Sequence, residues 1–187
     1  MVGYFAKSVG ECFSFDTNPL NPTPKGIFKK VIALWLYPRY SMSVYMRLAQ
    51  YFHYRDAGKR GIYNLLACFF RRRNEVKNNF EVNFGDAIGR GVIFHHTGVT
   101  ITAGSVIEPG VHVYNNVTLG SRNGEAPYIK KGAKLCSHTV ILGGVIVGEK
   151  AIVAPGAVLV SDVEEGMIVA GVPARVIGKV TESNYNF

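Results

Sequence analysis

The sequence predicts a mainly β protein: a left-handed parallel β-helix built from six-residue repeats, preceded by an α-helical region. Three observations predict this. Large aliphatic or aromatic residues recur every six positions through the second half; Gly, Asn or Asp recurs between them at positions suited to turns; and the first eighty residues show helical spacing instead.

A step of six from Val82 reaches Val82, Ile88 and Phe94. After one extra residue it resumes at Ile101, Ile107, Val113 and Leu119. A ten-residue jump follows, and Ile129, Leu135, Ile141, Val147, Val153 and Leu159 complete the frame. Neither the helical period of about 3.6 nor the strand period of 2 accounts for such a run, and so many glycines oppose a helix. A triangular coil of about 18 residues, three short faces per turn, places every frame residue inside a narrow prism. Gly91, Gly104, Gly110, Asn116, Gly132, Gly144, Gly156 and Asp162 then fall at its corners, where small or Asx residues turn the chain at low cost. Residues 82–163 give room for four to five coils. A β-sandwich would show alternation and loops of varied length, not a constant six.

The chain ahead of the repeats reads as a Pro-rich connector at 18–25, then helices at 26–37, 41–54 and 60–73, with Pro38 separating the first two. The last places Ile62, Leu65, Leu66, Phe69 and Phe70 on one face and ends in Arg71, Arg72 and Arg73, where cations complement a helix C-terminus. Two regions follow: an N-terminal helical region, 1–79, and a β-helix with its tail, 80–187. The helices read as a cap over the open end of the solenoid, with a second reading as an aromatic-rich patch in peripheral contact with the inner face of a membrane.

Lys and Arg outnumber Asp and Glu by 21 to 13, for a net charge of +8, which favours anionic partners. No helix-turn-helix, stacking motif or zinc module points to nucleic acid. Cys12, Cys68 and Cys136 are scattered without metal-ligand spacing, so neither a disulfide framework nor a metal site is expected. The opening residues lack a secretory signal, and the apolar run at 31–37 is too short to cross a bilayer. A cytoplasmic protein is expected, placed at the inner membrane face if the helices bind there.

The run GVTITAGSVIEPGVHVYNNVTLG (98–120) and the stretch 141–179, ending GVPARVIGK, resemble the hexapeptide-repeat acyltransferases, on their serine acetyltransferase-like branch. The resemblance covers roughly residues 80–180. It implies a homotrimer, acetyl-CoA as co-substrate, and direct transfer of the acetyl group to a hydroxyl activated by a His general base.

Chemistry is expected where the count of six fails, because insertions on a solenoid build its site. The first break holds FHHTG, residues 94–98; the second is the loop GSRNGEAPY, 120–128. A hydroxyl is a weak nucleophile until a base takes its proton, and imidazole does so near neutral pH. Counting back from Gly98 on the family's spacing selects His95; counting forward from Ile88 selects His96. His138 stands in a repeat that lines the family's cofactor groove, while His53 and His112 have no supporting context. The family's pantetheine contacts correspond to Gly120, Ser121, Ser137, His138, Gly144 and Ala154, with Arg175 and Lys179 near the phosphates.

Two departures bear on the acceptor. Ala126 precedes Pro127 where serine acetyltransferases carry a second His, and Phe94 stands where they have an acidic residue. An amino acid needs fixed charges to orient it, which disfavours serine. The Ala-Pro loop resembles relatives that acetylate sugar hydroxyls, which implies as acceptor a sugar hydroxyl of a bacterial surface polysaccharide or glycolipid, met by Tyr114, Asn115, Asn116, Arg122 and Tyr128. Serine, as in cysteine biosynthesis, is the second reading. A non-catalytic scaffold, or a carbonic-anhydrase-like metal trimer using His95, His96 and His138, is the third.

Overall fold

A computed structural model describes residues 28, 32, 35–55, 61–83 and 86–185. The connector expected at 18–25 and most of the helix expected at 26–37 lie outside these residues.

Fifteen short strands wind into a parallel β-helix whose three faces are three ladders. The first sheet stacks β1 (Glu81–Val82), β4 (Thr100–Ile101), β7 (Thr118–Gly120), β10 (Val140–Leu142) and β13 (Val158–Leu159). The second stacks β2 (Ala87–Ile88), β5 (Val106–Ile107), β8 (Tyr128–Ile129) and β11 (Ile146–Val147). The third stacks β3 (Ile93–Phe94), β6 (His112–Val113), β9 (Lys134–Leu135) and β12 (Ile152–Val153), extended by β14 (Met167–Gly171) and the antiparallel β15 (Ala174–Lys179).

The register explains the period of six. Val82, Ile101, Leu119, Ile141 and Leu159 stand directly above one another. Ile88, Ile107, Ile129 and Val147 do the same, as do Phe94, Val113, Leu135, Val153 and Val169. Every frame residue is buried. A buried aliphatic of this size is stabilised by about 1.5–3 kcal/mol relative to an exposed one, so these columns supply most of the cohesion of the prism.

The corners follow the expectation with two corrections. Gly91, Gly104, Gly110, Asn116, Gly132 and Gly156 take positive φ, but in the corner after β10 it is Gly143, at φ 80°, and not Gly144 that does so. Asp162 turns nothing; its carboxylate accepts the N–H of Ile146 at 2.8 Å. His138 and Lys150 occupy left-handed corners at φ 62° and 54° without being glycine.

Helix α1 (Pro38–Arg55) closes the start of the prism. Met42 and Met46 join the solenoid core beside Phe80 and Val82. The buried guanidinium of Arg47 donates to the carbonyls of Ile88 at 2.8 Å and Gly89 at 2.7 Å, and Gln50 donates to the carbonyl of Asp86 at 3.2 Å. Carbonyls that an open coil would leave to water are thereby satisfied, which is how the helix caps a strand edge.

Helix α2 (Ile62–Asn78) runs five residues beyond the expected end at Arg73, stopping where Asn79 turns left-handed at φ 47°. Its buried residues are Ala67, Asn74 and Asn78; the amide of Asn74 donates to the Met42 carbonyl at 3.0 Å, and the Ser41 hydroxyl donates to Asn78 at 3.1 Å. Of the expected apolar face, Phe70 stacks with Tyr45 and Phe52 between the helices, while Ile62, Leu65 and Phe69 are exposed.

Two outcomes test this account. Ile107→Ala, at the centre of the second column, is expected to cost about 2–5 kcal/mol in denaturant unfolding. Asp86 is almost fully buried, and burial pushes its pKa from 3.8 up to about 7 against the pull of the backbone N–H groups of Asn83, Gly104 and Ser105. Between those values the folded chain holds a proton that the unfolded chain has lost. The stability Asp86 contributes is therefore full below pH 3.8, falls through pH 7 and stays low above it. Asp86→Asn, which does not ionise, is expected to gain about 1–3 kcal/mol over the parent at pH 8 and little at pH 4, measured by urea titration at both pH values.

Candidate functional site

The chain passes from the third sheet to the first at four stacked corners: 95–99, 114–117, 136–139 and 154–157. Because Phe94, Val113, Leu135 and Val153 point inward, the next residue in each coil points outward. His95, Tyr114, Cys136 and Ala154 thus form a column along one edge. Backbone bonds tie the corners together: Asn116 N–H to the Thr97 carbonyl at 3.4 Å, His138 N–H to Asn115 at 2.9 Å, and Gly156 N–H to Ser137 at 2.9 Å.

His95 is half-buried and held on two sides. Its ring stacks on Tyr114 with centroids 4.3 Å apart and planes 9° from parallel. Its Nε2 lies 3.0 Å from Nδ1 of His112, which projects from β6 one residue before the inward Val113. Burial lowers the His112 pKa, and the charge of Lys134 one coil on lowers it further. Lys134 is itself almost fully buried, reaching the carbonyl of Tyr185 in the short terminal helix α3 (Glu182–Tyr185), and its ammonium stands 4.3 Å over that ring. The neighbouring Cys136 thiol is buried and its pKa is raised by that burial. His96 sits exposed at the same corner.

The structure therefore brings eight of the sequence-expected residues to one edge: His95, His96, Tyr114, Asn115, Asn116, Ser137, His138 and Ala154. Several are engaged within the fold. The Ser137 hydroxyl donates to Asn115 Oδ1 at 2.5 Å, and the Asn116 side chain lies over Gly98, where a Cβ would come within 2.1 Å of its Oδ1. His138 is exposed and turns its corner.

The others lie elsewhere in the chain. Gly120, Ser121, Arg122 and Gly144 stand at the next edge, between the first and second sheets. There the loop folds as a hairpin: Arg122 and Glu125 exchange backbone bonds at 2.9 and 3.0 Å around Asn123 and Gly124, both at positive φ. The hairpin passes close to the glycine pair below it: a Cβ on Gly144 would come 2.8 Å from the Glu125 carboxylate, although Gly144 itself stays exposed. Tyr128 is on the second sheet, its hydroxyl donating to Glu108 at 2.6 Å. Arg175 pairs with Ala170 in line with the His95 column, five strands away, or about 24 Å at the usual strand spacing of ~4.8 Å. Lys179 is at the other end of β15.

Two features were not foreseen. His112 was legible from the frame: one residue before Val113 and one after Phe94 flank the same ladder pair, so His112 and His95 had to be neighbours. The hairpin was legible from Asn-Gly, the usual two-residue hairpin turn. Among the described residues, no three His, Cys, Asp or Glu side chains are grouped to hold a metal ion, and no helix is long and apolar enough to cross a membrane.

No family model matches the chain. A putative serine acetyltransferase of Schizosaccharomyces pombe is 40% identical over 112 residues, which is 57% of this chain and 42% of that protein. The serine acetyltransferase of Escherichia coli K12 is 36% identical over 121 residues, 61% of this chain and 44% of that one. The chain thus spans less than half the length of these curated relatives. A structure of a Brucella abortus serine acetyltransferase in complex with coenzyme A is 26% identical, covers 92% of this chain and 66% of that one, and superposes with a TM-score of 0.71. A Neisseria gonorrhoeae serine acetyltransferase, 23% identical over 93% of this chain and 68% of that one, shares the fold at a TM-score of 0.76. Fold and likenesses together support the hexapeptide-repeat acetyltransferase superfamily, and none of these four relatives is a polysaccharide O-acetyltransferase.

The electrostatic coupling along the third sheet has a direct readout. Replacing Lys134 by Gln removes the charge facing His112 and leaves the burial, so the His112 ring is expected to titrate higher than in the parent yet still below an exposed imidazole. Histidine ring resonances followed by NMR against pH measure this; an unchanged His112 titration would mean Lys134 exerts no effect.

Proposed function

We propose that the chain is an acetyl-CoA-dependent O-acetyltransferase of the serine acetyltransferase type, with the histidine pair in the first break supplying the general base. The observation that carries the reading is the orientation of His95 by His112 and Tyr114 on an outward edge, the arrangement of a base held by a third group. Serine is the acceptor that the named relatives favour.

One tautomer of the histidine pair suits this role. A lowered pKa keeps His112 neutral near pH 7, so its Nδ1 can accept a hydrogen bond. In the tautomer in which His95 donates from Nε2–H, its basic lone pair is on Nδ1, and we assign that tautomer to the active form. As the acceptor oxygen attacks the thioester carbonyl, its proton passes to that lone pair and a tetrahedral adduct forms. Collapse of the adduct breaks the C–S bond, and the imidazolium returns the proton to the departing thiolate, leaving an acetyl ester and free coenzyme A. The bond to His112 persists through the cycle, since Nε2–H stays a donor when His95 is protonated. Small residues on the edge, Ser137 and Ala154, fit a pantetheine arm, and Arg175 at the far end of the column fits a phosphate.

In one chain the hairpin with Ser121 and Arg122 stands at a different edge from His95. A homotrimer of β-helices would set one copy's hairpin edge against the next copy's histidine edge, and we take the site to be completed in that way. Acetyl-CoA as donor goes with a cytoplasmic protein.

A sugar hydroxyl is the second reading, favoured by one observation: the histidine edge, 95–99, 114–117, 136–139 and 154–157, carries no carboxylate, and Ala126 lies against Gly104 where it offers no charge. A neutral acceptor needs neither.

Thiol release from acetyl-CoA decides between them. Turnover is expected with L-serine, falling by about 10²–10⁴-fold in His95→Ala, the span usual for loss of a general base. Full turnover in both His95→Ala and His96→Ala would remove the base assignment. Release with hexose or amino-sugar acceptors and none with serine would replace serine by the second reading.

A further inference from the structure

The helical segment combines an exposed apolar face with the whole of the chain's positive excess. On α2, Ile62, Leu65, Phe69 and Val76 recur at spacings of three, four and seven, so they share one helical face, and each is at least 60% exposed. Arg72, on the same face between Phe69 and Val76, is exposed, as is Arg73 beside it. Ahead of α1, Phe28, Ile32, Trp35 and Leu36 are exposed at helical spacing, and Trp35 is 75% exposed. Lys77 donates to the Trp35 carbonyl at 3.3 Å, which brings the tryptophan to the end of α2 where Val76 lies.

Charge is sorted along the chain. Residues 25–79 contain twelve Lys or Arg against two Asp or Glu, whereas residues 80–187 contain eight against nine. One of the two acids, Glu75, is bound by Arg71 and Arg72 at 3.3 and 3.2 Å.

The occupant of this face must therefore be both apolar and anionic. A second copy would offer the apolar stripe but bring an equal positive excess against the first, which like charges oppose. Nucleic acid would meet the charge and leave Leu65 and Phe69 in water. An anionic bilayer surface supplies headgroups for the arginines and an acyl boundary for the stripe, with Trp and Tyr at the interface they favour. With no described helix able to span, the helix would lie in the plane of the surface.

We propose that the α2 face of Ile62, Leu65, Phe69, Arg72 and Val76 docks the protein on an anionic lipid surface. This is independent of the acetyltransferase reading and stands or falls without it.

The test is co-sedimentation of the full chain with sucrose-loaded vesicles of phosphatidylcholine alone and of phosphatidylcholine with 30% phosphatidylglycerol. Binding is expected to be at least tenfold tighter to the anionic vesicles, with a blue shift in emission from Trp35, the only tryptophan in the chain. Leu65→Glu/Phe69→Glu is expected to lose at least tenfold in affinity while keeping its circular dichroism and elution volume. Arg72→Gln/Arg73→Gln, which leaves the apolar residues intact, is expected to bind several-fold more weakly. Failure of the parent to bind anionic vesicles overturns the proposal, as does equal binding by the parent and by folded Leu65→Glu/Phe69→Glu. A smaller assembly in that variant, with no vesicle binding by the parent, would assign the face to contacts between copies.

Discussion

The narrowness of the prism governs this molecule. Three ladders of two- and three-residue strands enclose a space that accepts one large side chain per face per coil, and the register stacks those side chains into continuous columns. A shift of one residue would turn a whole face inside out, so the count of six is enforced wherever the chain runs along a face. Corners are under no such constraint. That is why the extra residue at 95–99 and the hairpin at 120–128 can be accommodated without disturbing Ile101 or Ile129, both fully buried in register. The candidate base, His95, comes from what the frame leaves over, and its neighbours His112 and Lys134 from the outward positions of regular strands.

The same stacking explains how a histidine can be tuned on an otherwise plain surface. Outward residues one coil apart are held about 4.8 Å from one another, close enough for rings to stack and for imidazoles to bond. His95, His112, Tyr114, Lys134 and Cys136 come from three coils, yet they form one contiguous patch on the third sheet. Lys134 is the costly member: an ammonium with little access to water, compensated by the Tyr185 carbonyl and ring that the terminal helix folds back to provide. Its field and the burial of His112 act in the same direction, keeping that imidazole neutral. A neutral His112 keeps one ring nitrogen able to accept, so the contact with His95 needs no charge on that ring.

How much of this was legible depends on which residues carry the signal. The thirteen frame positions were readable because an aliphatic every sixth residue has no other physical explanation, and each is buried in its expected column. His112 carries no signal in its sequence neighbours, because its partner is seventeen residues away and adjacent only through the coil. The inner side of α2 was also illegible. Asn74 and Asn78 face inward to bond Met42 and Ser41 on α1, while Leu65 and Phe69 face out, the reverse of what hydropathy alone implies. Gly144 was expected at a corner with positive φ, but Gly143 takes the turn, a choice between adjacent glycines that composition does not decide.

The inverted polarity of α2 and the neutrality of the histidine edge belong to one argument about where charge is placed. The β-helix is nearly balanced, with eight basic residues against nine acidic, and its histidine edge has no carboxylate. The positive excess lies in residues 25–79, ahead of the solenoid, and Arg47, the cation buried against the first coil, is consumed in satisfying carbonyls. The remaining arginines flank a hydrophobic stripe that the solenoid does not need for its own core, since Met42, Met46 and Phe80 already close the prism. Cohesion and capping therefore account for α1 and for the inner side of α2, and leave the outer side without a structural duty. An exposed apolar stripe of this kind is the usual mark of an interaction surface, and the arginines interleaved with it are what favour the proposed anionic partner.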